Sequence, residues 1–130
     1  MTSTAKGTFD VEMVPAGSEM DGAVSRFELT KHFHGDLEGS GVGIMFSSGE
    51  PQAGTAGYVA IEVVTGGVGG RTGTFALQQF GTMYGGVQRL HYEIVPGSGS
   101  GELAGITGTV SLTIDGDGSH HYELDYQLPT

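Results

Sequence analysis

Apolar and polar residues alternate with period two along most of this chain, which is the pattern of half-buried β-strands. We therefore predict an all-β protein whose strands are joined mostly as hairpins, with a loop at 14–22 and no helix. Eight such alternating segments lie between glycine-rich turns, at residues 7–13, 23–34, 38–48, 55–65, 71–83, 87–95, 106–114 and 119–128.

Eight consecutive antiparallel strands can close into a barrel, which leaves no sheet edge open to other chains. The sequence thus predicts an eight-stranded, mostly antiparallel, up-and-down barrel that forms one domain over residues 1–130. A β-sandwich is the alternative, and the repeated short hairpins favour the barrel. The interior of such a barrel holds packed side chains or one small ligand.

The longest break in the alternation is the glycine-rich stretch 95–105, in which Pro96 ends the preceding strand. Its segment Gly99-x-Gly101-x-x-Ala104 fits a relaxed dinucleotide-binding fingerprint. That fingerprint binds a pyrophosphate at the start of a long helix. Here the strand pattern resumes directly, so we predict a structural loop.

The charge of the chain narrows the classes of partner. It carries 15 acidic and 5 basic residues, for a net charge of −10. Nucleic acids and anionic membranes attract clustered lysine and arginine, so neither is expected as a partner. There is no cysteine to form a disulfide or a thiolate ligand. Residues 1–7 contain no apolar run, and no stretch is apolar enough to span a membrane, so we expect a cytoplasmic protein.

Glu62 is the candidate catalytic residue. The alternation places it on one strand face with Tyr58 and Ala60, and we predict that this face points into the barrel. A buried carboxylate is costly unless it is paired or hydrogen-bonded, and perturbed carboxylates in cavities are candidates for general acid–base chemistry. The alternatives are that Glu62 faces outward, or that it forms a structural ion pair with Lys31.

The same alternation predicts which other residues line the interior, and it places an apolar stripe on the outside of the barrel. Apolar side chains on the outside need a partner surface, so we predict a homo-oligomer, either a dimer or a trimer. No cofactor is predicted. The outer apolar stripe is Val59, Ile61 and Val63. The inward set that would contact a ligand is Lys31, Tyr58, Phe75, Leu77, Gln79, Tyr92 and Tyr126.

A metal site is the third possibility. His32 and His34 lie two residues apart, which places both on one face of a strand, and Glu38 follows across a turn. This is the core spacing of the first cupin motif, but the glycines that flank that motif are missing. The two histidines also lie opposite the predicted core face, so exposed surface histidines are favoured over a cupin-like metal centre.

Three segments in order, residues 31–39 (KHFHGDLEG), 70–79 (GRTGTFALQQ) and 95–105 (VPGSGSGELAG), resemble the bacterial family known as domain of unknown function 3224. The resemblance extends from about Gly7 to Tyr126. It implies an eight-stranded barrel similar to that of allene oxide cyclase, which closes an epoxide into a cyclopentenone, and it implies no settled activity. The family often has histidine at the position of Gln79, which puts a histidine-based acid–base role there in doubt.

These observations favour a barrel that binds a small, mostly apolar molecule. As an isomerase or cyclase of the allene oxide cyclase type, it would use Glu62 to move or hold a proton, while Gln79 and Tyr92 orient the polar group of the ligand. A lipocalin-like binding protein without catalytic activity and a cupin-like metalloprotein are the alternatives.

Overall fold

The protein is described by a computed structural model over residues 2–129. A 3-10 turn covers Pro51–Ala53, and among residues 2–129 no helix is long and apolar enough to cross a membrane. The strands are β1 (Ser3–Glu19), β2 (Val24–Gly35), β3 (Leu37–Glu50), β4 (Thr55–Val68), β5 (Arg71–Tyr84), β6 (Val87–Ile94), β7 (Ser100–Gly101), β8 (Thr107–Ile114) and β9 (His120–Gln127).

The predicted eight-stranded antiparallel barrel is confirmed. The sheet runs in the order β4-β3-β2-β1-β9-β8-β6-β5, and β4 also pairs with β5, which closes it. The lower end carries the start of β1, the β4–β5 turn and the loop that follows β6. The upper end carries the β1–β2 turn, the β5–β6 turn and the β8–β9 turn. Within residues 2–129, β6 and β8 share a single residue pair, Glu93 opposite Thr109, so this seam is the weakest junction of the barrel.

The predicted loop at 14–22 is wrong, because β1 continues as a strand to Glu19. Pro15 cannot donate a ladder hydrogen bond, which suggested a strand end. However, β1 pairs with β9 only as far as Phe9 opposite His120, and beyond that point β2 is its one neighbour in the described chain. A proline is tolerated on such an edge, and the register shifts between Pro15 and Ser18 to accommodate it.

The predicted β4–β5 connection at 66–70 is also too long. β4 continues to Val68, and the turn consists of Gly69 and Gly70, whose φ angles are 62° and 78°. Gly66 lies inside the ladder because β3 approaches closely there. A Cβ on Gly66 would lie 2.2 Å from the carbonyl oxygen of Glu38, so this position requires glycine.

The glycine-rich loop at 95–106 closes the lower end, as predicted for a structural loop. Leu103 and Ile106 are 0% exposed and fill the barrel from below. The carboxylate of Glu102 accepts a hydrogen bond from the backbone N–H of Thr72 (3.1 Å), and β7 pairs with β5. These contacts hold the loop against the barrel as a plug. The aromatic and aliphatic core lies above it, formed by Phe9, Phe33, Leu37, Val64, Val68, Phe75, Leu77, Ile94, Tyr122, Leu124 and Tyr126.

Candidate functional site

Two charged side chains lie inside the barrel, and they contact each other. Lys31 is 4% exposed and Glu62 is 2% exposed. The Lys31 Nζ atom lies 3.2 Å from Glu62 Oε1 and 3.2 Å from the hydroxyl oxygen of Tyr92. The Tyr92 hydroxyl also donates a short hydrogen bond to Glu62 Oε1. We refer to Lys31, Glu62 and Tyr92 as the polar cluster.

Glycines on β3 give the polar cluster its space. Gly43 is paired with Glu62, and a Cβ on Gly43 would lie 2.6 Å from the Glu62 Cβ atom. Gly41 is paired with Lys31 on one side and Val64 on the other. With no side chain at either glycine, β2 and β4 can both direct long polar side chains inward at this level.

The environment keeps Tyr92 protonated. Burial, the charge of Glu62 and the hydrogen bond to that carboxylate together raise the pKa of Tyr92 well above its ordinary value. Tyr92 therefore acts as a neutral donor to Glu62 and as an acceptor for Lys31. The Lys31 ammonium also lies 5.0 Å from the centre of the Phe9 ring, within cation–π range.

One carboxylate oxygen of the polar cluster is unpaired. Among the described residues, Glu62 Oε2 is buried and has no hydrogen-bond partner. It lies toward Gly41, where a Cβ would be 3.6 Å from it. A buried carboxylate oxygen without a donor is costly, so this atom retains an unused capacity to accept a hydrogen bond.

A second polar pair lies above the polar cluster. The Tyr58 hydroxyl donates a hydrogen bond to the Gln79 side-chain oxygen (3.1 Å), and both residues are half-buried. Burial raises the pKa of Tyr58, so this hydroxyl also stays protonated. The Tyr58 ring packs over Gly81, where a Cβ would come within 2.6 Å of it.

Apolar side chains of the inner face are exposed at the upper end of the barrel, and we call this end the mouth. Val11, Met13 and Leu90 belong to inward faces, because their partners across the ladder are Lys31, Leu29 and Gly81. Nevertheless they are 38%, 51% and 43% exposed. The β9 strand begins at His120, opposite Phe9, so within residues 2–129 the upper half of β1 pairs with β2 alone. On β6, which carries Leu90, the pairing with β8 is limited to Glu93. Apolar side chains of the inner face therefore meet solvent here.

The lower half of the barrel is packed. The void inside it has a volume of about 10 Å³, enough for about one water molecule. Phe75 and Leu77 line this void and are 1% and 2% exposed. Tyr126 is buried at the lower end, where its hydroxyl lies against Gly69. The floor below the polar cluster therefore leaves no room for a ligand.

The inward placement predicted for the site residues agrees with the structure, but their grouping differs. Lys31 and Tyr92 join Glu62, and Tyr58 and Gln79 lie one layer above. Phe75, Leu77 and Tyr126, which were predicted to contact a ligand, belong to the packed floor. Alternation gives the face of a residue but not its height in the barrel, which depends on the strand register. The mouth residues Met13 and Leu90 were not predicted as site residues. The signal for Met13 was that β9 begins only at His120, opposite Phe9, and so does not reach the upper half of β1.

The histidines of the possible metal site lie outside the barrel. His32, His34 and Glu38 are exposed. His34 Nε2 lies 3.1 Å from a carboxylate oxygen of Asp10, and Glu38 accepts a hydrogen bond from the backbone N–H of Gly35. Among residues 2–129, no group of three histidine, aspartate or glutamate side chains is placed to hold a metal ion.

Comparisons with known proteins agree on one family. A family model described as "Protein of unknown function (DUF3224)" matches residues 5–126. A comparison with curated proteins gives no match. A crystal structure at 1.84 Å resolution, of a protein with unknown function from the DUF3224 family of Shewanella oneidensis MR-1, is 41% identical to this chain. The alignment covers 100% of this chain and 99% of that one, with a TM-score of 0.93.

Proposed function

This chain belongs to the DUF3224 family, as its sequence motifs predicted, and from its site we propose that it binds a small, mostly apolar molecule through the mouth of the barrel. The observation that carries the proposal is that apolar side chains of the inner face are exposed at the mouth, above a buried polar cluster. Val11, Met13 and Leu90 offer apolar contact at the entrance. Ligand sites are typically concave apolar surfaces with a few convergent polar groups.

The polar groups define the kind of ligand that fits. Tyr58 and Gln79 form a half-buried polar pair above the polar cluster and would orient one polar group of the ligand. The rest of the ligand would contact apolar side chains. The proposal includes a cytoplasmic location and no nucleic acid or membrane partner, which rests on the charge and patterning of the sequence.

The enzymatic form of the proposal is isomerisation or cyclisation of the bound molecule. In an isomerisation, Glu62 would take a proton from one atom of the ligand and return it to another. In a cyclisation that opens an epoxide, no proton moves, and the carboxylate would stabilise positive charge that develops on the ligand carbons. Neither reaction needs an oxidant or a co-reactant. The Glu62 carboxylate would be the acceptor: its Oε2 atom has no hydrogen-bond partner among residues 2–129, while Tyr92 and Lys31 both contact Oε1. Holding a flexible ligand in one folded conformer would lower the barrier further. The likeness to allene oxide cyclase supports this form by fold alone.

A binding protein without catalysis is the second candidate, and the ion pair itself favours it. Lys31 and Glu62 neutralise each other at 3.2 Å, as a structural pair would. In this lipocalin-like form the mouth still binds the ligand, and Glu62 only stabilises the fold.

Binding at the mouth is tested with the uncharged dye N-phenyl-1-naphthylamine and by native mass spectrometry of the gently purified protein. Val11→Glu places a charge on the inner face at the mouth and should abolish dye fluorescence. Val14→Glu is the matched control, because Val14 lies on the outer face of the same strand at 47% exposure. A wild-type chain that neither retains an extra mass nor binds the dye contradicts the proposal, as does equal dye binding by both variants.

The Glu62→Gln variant separates the two forms. This substitution keeps the shape of the side chain and removes its basicity. The assay supplies an unstable fatty-acid allene oxide and measures the enantiomeric excess of the cyclopentenone product. Retained dye binding with lost enantiomeric excess supports the enzyme. A wild-type product that is racemic, with dye binding intact in both proteins, supports the binding protein.

A further inference from the structure

The outer face of β3, β4 and β5 is a continuous apolar surface, which we call the apolar face. It extends the predicted stripe on β4 to both neighbouring strands. At its centre, Ile61 is 53% exposed, with Val42 at 63% and Phe80 at 54% to its sides. Strand register arranges the face in three rows: a bulky row of Phe46, Val59 and Phe80, a middle row of Ile44, Ile61 and Gln78, and a small row of Val42, Val63 and Ala76.

The apolar face is uncharged although the protein is strongly acidic. The chain has a net charge of −10, yet none of the nine residues in the three rows is ionisable. Shallow grooves of about 480 and 500 Å³ lie along the face, and their linings include Glu28 of β2 and Glu93 of β6, the strands on either side of the face. Two acidic copies repel each other elsewhere, so this is the surface on which they can approach.

We propose that the apolar face is the contact surface of a two-fold symmetric dimer of this chain. The rows make the face complementary to itself. A two-fold axis that runs across the strands along the middle row places Ile61 against its own copy. It also turns the bulky row of one protomer over the small row of its partner, so that Phe80 lies over Ala76. Such isologous contact between aligned sheets is a common way for sheets to pack.

The size of the face sets the expected strength of the dimer. Three strands at about 4.8 Å spacing and five residues at about 3.4 Å give a projected patch of roughly 14 by 17 Å. The patch therefore covers roughly 240 Å², well below the area of about 800 Å² that each partner buries in a standard interface. We therefore expect a dimer that dissociates within the micromolar range rather than a permanent one.

Sedimentation velocity across the micromolar range tests the proposal. The wild-type protein should shift from monomer to dimer as its concentration rises. Ile61→Lys brings two charges together on the two-fold axis and should leave only monomer. Val14→Lys is the matched control on an exposed valine of β1, and it should dimerise like the wild type. Circular dichroism of each variant shows that it is folded.

A size exchange tests the geometry separately. Phe80→Ala alone leaves gaps, and Ala76→Phe alone sets bulky rings against each other, so each should weaken the dimer at least tenfold. The double variant exchanges the small and the bulky residue on β5 and should recover most of that loss. A wild-type chain that stays monomeric, a trimer, or a double variant weaker than both single variants overturns the proposal.

Discussion

The buried ion pair between Lys31 and Glu62 should behave differently from a surface pair of identical length. Their charged atoms lie 3.2 Å apart in the barrel, with side chains 5% and 2% exposed. At an effective dielectric constant of about 20, Coulomb's law gives about 5 kcal/mol of attraction at this distance. Desolvation of both charges offsets much of it, so the pair adds little net stability. Removing one partner, however, leaves a buried charge without compensation.

We therefore expect Lys31→Met to lower the free energy of unfolding by about 3–5 kcal/mol, and Glu62→Met to do the same. The double variant leaves no buried charge and packs two flexible apolar side chains against each other. It should cost much less than the sum of the single changes, with a coupling energy of about 3 kcal/mol between the two sites. Urea denaturation followed by circular dichroism measures all three values.

The surface pair of Lys6 and Glu123 is the control. Its nitrogen–oxygen distance is also 3.2 Å, but the side chains are 68% and 44% exposed. Lys6→Met should therefore cost less than about 1 kcal/mol. If the Lys31 and Glu62 effects add to within about 0.5 kcal/mol, the two charges are not coupled and the reasoning is refuted. The same follows if Lys31→Met is as mild as Lys6→Met.

Three further predictions concern other parts of the barrel. The fold raises the pKa of Tyr92 above its unfolded value of about 10, so the protonated hydroxyl stabilises the folded state below that pH, and this contribution is lost as the pH rises further. Tyr92→Phe should therefore reduce the loss of stability at alkaline pH, as measured by urea denaturation. Gly81→Ala should displace the Tyr58 ring and cost about 1–3 kcal/mol, whereas Gly57→Ala, with its nearest atom at 3.7 Å, should be nearly neutral in the same measurement. Leu103→Ala should cost about 2–5 kcal/mol by opening a cavity in the plug, and a change within 0.5 kcal/mol would show that the loop does not contribute to the core.

Sequence alternation predicted the fold and much of the candidate site because period two is a local property. Glu62 faces inward for the same reason that Val59 and Ile61 face outward, and Lys31 was recognised as its alternative partner. Tyr92 was predicted to face inward, but its contact with Glu62 could not be predicted. Tyr92 meets Glu62 only because β6 pairs with β5 in one particular register, which depends on contacts far apart in the sequence.

The errors share a physical origin in what each strand has as a neighbour. Pro15 breaks a ladder only where a ladder exists, and in the described part of the chain β1 pairs with β2 alone above Phe9. The exposure of Val11 follows from the same missing neighbour. Tyr126 faces inward as predicted, but its position at the lower end is fixed by pairing with Ser3 and Gly108. The local pattern of apolar and polar residues therefore cannot show which strands extend beyond the strands they pair with.

The single residue pair between β6 and β8 makes the barrel unequal in its resistance to local opening. Backbone amides in β3 and β4 lie between neighbours paired along nearly their whole length, so their hydrogens should exchange with solvent only on global unfolding. Amides of β6 and β8 that face the seam lack this protection. Transient separation there would turn the closed barrel into a curled sheet that begins at β6 and ends at β8. A separation of β6 from β8 would provide a route into the interior for a molecule too wide for the mouth.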